Sequence, residues 1–162
     1  PSALGWRKFQ PTESQMKTFT KTLLVAAMLM TGTAYAQDVM ATDPDVIARK
    51  DLMKPMGGAA KALGGMASGE VAYDAAAAEA AKQVLIAASA DIGAKFTNNN
   101  ADPASEALPA VWEKWDDFLA KGKALGDAAG ALDVASAESI GAGMAGVGGS
   151  CKGCHTDYRI KK

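Results

Sequence analysis

Apolar residues recur at steps of three and four along four stretches of the chain, and polar or glycine- and proline-rich intervals separate these stretches. Such spacing brings apolar side chains to one face of an α-helix. No stretch alternates apolar and polar residues convincingly enough to indicate a half-buried strand. The pattern therefore predicts an all-α fold.

The first predicted helix begins at Asp43-Pro44-Asp45, where an aspartate can cap the helix and a proline suits its first turn. Its stripe comprises Val46, Arg49, Met53, Met56, Ala60 and Leu63. Pro55 lies within this stripe and is expected to interrupt the helix, because an interior proline removes one backbone hydrogen bond at a cost of about 3 kcal/mol. The turn at 68–70 should end the segment.

The second predicted helix begins after Asp74 and runs from Ala75 to about Ile92. A polar connection follows over residues 95–108, and Pro109 opens the third helix. The stripe of the third helix contains Val111, Trp112, Trp115, Phe118, Leu119, Leu125 and Leu132. Its two tryptophans can belong to the core, to a cofactor pocket, or to both.

Asp133 is the predicted cap of the fourth helix, whose stripe comprises Ile140, Met144, Val147, Cys151, Cys154 or His155, and Tyr158. Four amphipathic helices of this size favour an antiparallel four-helix bundle, and such bundles hold cofactors in the core.

The sequence Cys151-Lys152-Gly153-Cys154-His155 is the C-x-x-C-H pattern typical of covalently attached haem c. On a helix, positions i, i+3 and i+4 share one face. Both thiols can therefore bond the porphyrin while the imidazole of His155 points at the iron.

Three other interpretations of this motif use the same residues. A structural zinc site needs four ligands, but the chain contains two cysteines and one histidine in total. A thioredoxin-like redox pair would need a strand before its helix, which the pattern does not predict. A short-range disulfide beside an incidental histidine stays open.

Residues 16–36 have the features of a secretory signal peptide. Basic residues follow Met16, the apolar run 23–30 comes next, and Ala34-Tyr35-Ala36 resembles a cleavage site. The apolar run is shorter than the roughly 20 residues of a membrane-spanning helix. We therefore predict export to the periplasm with no stable membrane span in the mature chain; an uncleaved anchor is the alternative. Residues 1–15 form an upstream extension of no derived role, and 37–162 form the folded domain.

Composition narrows the classes of function. The 162-residue chain is 49% hydrophobic with a formal net charge of −1, so no basic excess indicates nucleic-acid binding. By count, residues 37–162 hold 13 basic and 17 acidic residues. If the single histidine binds iron, no Ser/His/Asp catalytic set can form, so we expect a haem carrier or binding protein and no enzyme.

Taken together, four features resemble the class II cytochromes c, which comprise cytochrome c′ and its low-spin, six-coordinate relatives. They are the haem motif at the far C-terminus, Arg49-x-x-x-Met53, the turn Val71-Ala72-Tyr73-Asp74, and Pro109-x-x-Trp112. The resemblance covers essentially all of residues 37–162.

This resemblance implies one covalent haem c, with thioether bonds to Cys151 and Cys154 and with His155 as the proximal iron ligand. It also implies that Met53 lies over the distal side of the iron and that Arg49 lies near a haem propionate. Guanidinium pairs well with carboxylate, although a solvated surface arginine is the alternative for Arg49.

Two functions follow from what Met53 does. If its thioether binds iron, the His/Met ligand set suits electron transfer with periplasmic redox partner proteins. If Met53 only packs against the porphyrin, the iron is five-coordinate and resembles cytochrome c′, which binds nitric oxide or carbon monoxide. Pro55 could alter the reach of Met53, and Met56 could compete with it. The resemblance is also compatible with a homodimer through the first two helices.

Overall fold

The computed structural model describes residues 40–161, so the predicted extension 1–15 and signal peptide 16–36 lie outside the described residues. Within 40–161 the chain forms five helices and no strand: α1 (Pro44–Ser68), α2 (Ala75–Lys95), α3 (Ala110–Glu113), α4 (Trp115–Ala131) and α5 (Ala137–Tyr158). None of these helices combines the length and the apolar character needed to cross a membrane.

The four long helices surround one apolar core. α1 packs against α2 and α5, and α4 packs against the same two helices from the other side. The largest fully buried side chains come from α1, α2, α3, α5 and the residue after α4: Leu63, Leu85, Leu132, Ile140, Val46, Val111 and Val147. This arrangement confirms the predicted four-helix bundle.

The starts of the first two helices agree with the predicted caps. The Asp43 carboxylate accepts hydrogen bonds from the backbone N–H groups of Asp45 (2.9 Å) and Val46 (3.2 Å). Asp74 accepts one from Ala77 at 2.7 Å. At the other end of α1, Gly69 adopts a left-handed conformation with φ of 77°, which glycine reaches without a steric penalty.

Pro55 does not interrupt α1, contrary to the sequence-based expectation. The helix is continuous from Pro44 to Ser68 with Pro55 inside it. Pro55 and Asp51 are both exposed, so water can reach the carbonyl group that proline leaves without an intrahelical donor. Buried residues of α1 continue beyond the proline with Met56, Ala59 and Leu63, and their packing in the core stabilises the helix there.

The third predicted helix is divided in two, and the predicted cap of the fourth is wrong. Lys114, with φ of −123° and ψ of 48°, separates α3 from α4. Ser136 caps α5 and forms a reciprocal capping box with Ser139. The Asp133 carboxylate instead accepts a hydrogen bond from the Ala135 N–H at 2.9 Å, in the turn before the helix.

The long connection between α2 and α3 is fixed at several points. Asp102 accepts hydrogen bonds from the N–H groups of Thr42 and Asp43, both at 2.8 Å. Farther along, the connection pairs with the chain after α5: the N–H of Leu108 donates to Tyr158 O and that of Ile160 donates to Glu106 O. Three residues of this connection, Ser105, Glu106 and Ala107, line the cavity described below.

Candidate haem-binding site

A cavity of about 970 Å³ opens between α1, α4, α5 and the end of α2. Its size is at the upper end of the roughly 300–1,000 Å³ typical of ligand and cofactor pockets. Five residues singled out in the sequence line this one cavity: Arg49, Met53, Cys151, Cys154 and His155. The fold thus brings together side chains that are about 100 positions apart in the chain.

The C-x-x-C-H residues lie within α5, near its C-terminal end. Cys151 and Cys154 are half-buried free thiols, so the structure contains no disulfide between them. Burial raises the pKa of both thiols, and the positive charge of Lys121 partly offsets this for Cys154. Both cysteines therefore carry protonated thiols at neutral pH.

His155 is exposed to the cavity rather than packed in the core. The surrounding cavity walls partly desolvate the imidazole, which lowers its pKa; the positive charge of Arg159 lowers the pKa further, and the charge of Glu106 raises it. The neutral imidazole is the form that binds a metal ion. Its environment thus favours the state that a ligand needs.

α1 supplies two methionines to the cavity lining. Met53 is half-buried, whereas Met56 is only 7% exposed and belongs to the core. Both line the cavity. Met53 is therefore the more accessible thioether, and Met56 is the one more tightly held by packing.

Arg49 is buried at 4% exposure, which excludes the alternative of a solvated surface charge. Its Nε donates to Lys95 O at 3.1 Å and its Nη2 donates to Asn98 O. The guanidinium lies over the rings of Phe96 (5.3 Å) and Trp112 (5.1 Å). Burial lowers its pKa, opposed by the charges of Asp45 and Asp43, yet arginine stays charged at any ordinary pH.

One atom of Arg49 lacks a partner. Its Nη1 is buried without a hydrogen bond to any described residue. A buried charged donor left in this way is costly, and a carboxylate entering the cavity would satisfy it.

Two pairs of polar residues beside the cavity could not be predicted from the sequence. The Tyr158 hydroxyl donates to the Asp117 carboxylate, and Arg159 forms an ion pair with Glu106 at 2.6 Å. The partners lie 41 and 53 positions apart, so no local spacing could have revealed them.

Neither tryptophan of the third predicted segment lines the cavity. Trp112 donates from Nε1 to Phe96 O at 2.7 Å, beside Arg49. Trp115 packs against Phe118, with ring centroids 5.7 Å apart. Each tryptophan therefore contacts a residue of the cavity lining, Phe96 or Phe118, without lining the cavity itself.

The residues around the cavity fit a covalent haem. Two thiols on one helix face can form the thioethers, and the imidazole and a thioether are known haem-iron ligands. Arg49 offers an unsatisfied donor for a propionate. This donor set favours haem over zinc, since only three cysteine or histidine ligands exist in the chain.

Comparison with known proteins agrees with this interpretation. Residues 44–159 match the family model described as Cytochrome C′. The chain is 34% identical over 152 residues to cytochrome c-556 from Agrobacterium fabrum, covering 91% of this chain and 98% of that protein.

Solved structures give the same result. Cytochrome c′ from Rhodopseudomonas palustris superposes with a TM-score of 0.68 at 31% identity, covering 74% of this chain and 98% of that one. A nitric oxide complex of a cytochrome c′ variant from Alcaligenes xylosoxidans gives a TM-score of 0.64 at 30% identity, with 73% and 94% covered.

Cytochromes of this kind carry covalent haem c, and the two cysteines that such attachment requires are present here. The match spans the whole described bundle from the start of α1 to the end of α5. The chain therefore belongs to the cytochrome c′ family, one of the class II cytochromes c.

Proposed function

We propose that this protein is a periplasmic electron carrier in which Cys151 and Cys154 attach the haem, His155 is the proximal iron ligand and Met53 is the distal ligand. One observation carries the proposal: the C-x-x-C-H face of α5 and the Met53 thioether of α1 line the same cavity. Bound haem c supplies a one-electron iron couple, and a His/Met ligand set raises its reduction potential.

The side chains divide the remaining tasks. Cys151 and Cys154 fix the cofactor to α5, so it cannot dissociate between electron transfers. Arg49 would pair its unsatisfied Nη1 with a propionate, and its buried positive charge would favour the reduced state. Phe118 and Tyr158, both buried, add apolar surface to the cavity lining.

The location rests on the sequence. The signal peptide at 16–36 and the domain at 37–162 stay predictions, and an oxidising compartment is where exported cysteine-containing proteins mature. The names of the relatives support a haem carrier or gas-binding protein rather than an enzyme.

A five-coordinate protein that binds nitric oxide or carbon monoxide is the second candidate. One observation favours it: the relative from Alcaligenes xylosoxidans is described as a nitric oxide complex. In that case Met53 would pack beside the iron without binding it, and a small gas would take the distal position.

Absorption spectra of the purified haem-loaded protein separate the two candidates. The electron carrier should give sharp ferrous bands and, when ferric, a weak sulfur-to-iron band at the red end of the spectrum. Met53→Ala should convert this low-spin spectrum to a high-spin one that binds carbon monoxide readily.

Met56→Ala is the matched control, because Met56 lines the same cavity from the same helix. It should lower stability by about 2–5 kcal/mol through lost packing and leave the low-spin spectrum intact. A broad high-spin spectrum of the unaltered protein would support the gas-binding candidate instead. Loss of the low-spin spectrum in Met56→Ala alone would make Met56 the distal ligand.

A further inference from the structure

Three lysines on the solvent-facing side of α1 have no partners. Lys50, Lys54 and Lys61 are exposed, and within residues 40–161 none of them makes a hydrogen bond or an ion pair. At 3.6 residues per turn they lie within about 40° of one another and span roughly 17 Å along the helix. We call these three residues the α1 lysine row.

The lysine row begins at the opening of the haem cavity, where Lys50 and Lys54 belong to the lining. Seven charged side chains line this cavity, of which five are basic: Arg49, Lys50, Lys54, Lys121 and Arg159. The acidic ones are Asp51 and Glu106.

The remainder of the domain has the opposite charge. Outside the cavity lining, the described residues 40–161 hold 7 basic and 14 acidic residues. Two haem propionates reduce the excess of +3 at the cavity but leave it positive, against −7 elsewhere. Within residues 40–161, the lining of the cavity is therefore basic, whereas the remaining residues are acidic on balance.

Exposed apolar side chains lie beside the same opening. Met40 is 85% exposed and Ile47 is 39% exposed, and both line the cavity. Apolar contact area next to complementary charge is the usual composition of a protein-binding surface.

The basic charge around the cavity opening distinguishes between two kinds of protein that could bind there. A second copy of this chain in a two-fold contact would set one lysine row against the other, which like-charge repulsion disfavours. A protein with an acidic surface around its own redox centre would meet both the lysines and the apolar residues.

We propose that Met40, Ile47 and the α1 lysine row form the docking face for an acidic redox partner protein. The proposal rests on the proposed electron-transfer function, because it identifies the surface through which that function would operate. Opposite charges would steer the partner to the cavity opening, and salt would screen this attraction.

Flavodoxin, an acidic one-electron carrier, is a suitable probe. Stopped-flow absorbance would follow the one-electron reduction of the ferric haem-loaded protein by flavodoxin hydroquinone from about 10 mM to about 300 mM salt. Lys50→Gln/Lys54→Gln should reduce the second-order rate constant about five- to tenfold at low salt, with the difference vanishing at high salt. Calorimetric titration should show the same loss of flavodoxin binding.

Lys82→Gln/Lys123→Gln is the matched control. It changes the net charge equally, and neither lysine lines the haem cavity: Lys82 donates to Leu132 O and Lys123 pairs with Asp127. The control should keep the rate constant within about twofold, since these charges lie away from the docking face.

Equal effects of the two double variants, or a rate that does not depend on salt, would overturn the docking proposal. The electron-transfer function would stand in that case, provided that the spectra stay low-spin. A high-spin protein that does not exchange electrons with flavodoxin would remove both proposals. Sedimentation of a dimer that dissociates in Lys50→Gln/Lys54→Gln would assign the face to a second copy and also overturn the proposal.

Discussion

Arg49 is a buried cation whose hydrogen bonds run to backbone carbonyl groups instead of a carboxylate. Lys95 O and Asn98 O accept from it, and Asp43 and Asp45 act on it only electrostatically. Its charge is thus held near the cavity without a direct ion pair among the described residues. Such a charge is available to stabilise a propionate and the electron that reduction adds.

We expect Arg49→Gln to lower the reduction potential of the haem by on the order of tens of millivolts, because it removes a buried positive charge beside the cofactor. Potentiometric titration measures the change. Lys123→Gln, which removes an exposed charge away from the cavity, is the control. Equal shifts in both variants would show that only net charge matters and that Arg49 has no particular relation to the haem.

Tyr158 is a second buried polar residue at the site, at 3% exposure. Burial, together with the hydrogen bond to Asp117, raises its pKa to about 12. Because the folded state holds the phenol proton more tightly than the unfolded state, Tyr158 stabilises the fold fully below pH 10. That stabilisation is lost as pH rises from about 10 to about 12.

In the unaltered protein, the folded state should hold up to one proton more than the unfolded state between pH 10 and pH 12, so the free energy of unfolding falls with pH. Tyr158→Phe should remove this part of the slope. Urea unfolding at several pH values in this interval measures the slope. Tyr73→Phe is the control, since the Tyr73 hydroxyl donates to Val134 O from a residue that is 37% exposed. Identical slopes in Tyr158→Phe and the unaltered protein would contradict the assignment.

At the scale of the elements, the start of α5 matters because this helix carries Cys151, Cys154 and His155, the proposed haem-binding residues. Ser136 and Ser139 satisfy its first N–H groups reciprocally. Ser136→Ala should lower the free energy of unfolding by about 1 kcal/mol, the usual cost of losing such a cap. Chemical denaturation monitored by circular dichroism measures this.

Asp133→Ala provides the comparison for the cap. Its carboxylate bonds the Ala135 N–H outside the helix, so we expect a change within about 0.5 kcal/mol. A larger loss in Asp133→Ala than in Ser136→Ala would mean that the aspartate stabilises the start of α5 after all.

These two residues illustrate which parts of the elements can be predicted. Asp133 and Ser136 are both good caps by residue type, and only the path of the chain after Leu132 decides between them. Likewise, Pro55 costs a hydrogen bond in any helix, but whether the helix ends there depends on packing of its other face. The starts at Asp43 and Asp74 were predictable because the cap and the following stripe agree in register.

At the scale of the molecule, the bundle follows from periodicity, and the three proposed haem-binding residues of α5 follow from one motif. The walls of the cavity do not. Glu106 lines the cavity because the connection between α2 and α3 pairs with the chain after α5. Lys121 lines it from α4, and Asp117 on the same helix accepts the Tyr158 hydrogen bond beside it. Charged residues carry little information about which neighbour they will meet until such contacts are known.

Met53 and His155 line one cavity although they stand near opposite ends of the folded chain. If both bind the iron, their bonds close a loop of about 100 residues, and a cross-link of that size restricts the unfolded chain by up to about 4.7 kcal/mol. Met53→Ala should then destabilise the haem-loaded protein more than the haem-free protein, as compared by guanidinium unfolding. Equal losses would mean that no such link exists.

The cofactor would in that case cross-link the first and last helices of the bundle. A strong external ligand that displaces Met53 would break this cross-link while leaving the thioethers intact. The free energy of unfolding would then fall whenever Met53 leaves the iron, so that ligand exchange at the haem and the stability of the fold would be thermodynamically linked.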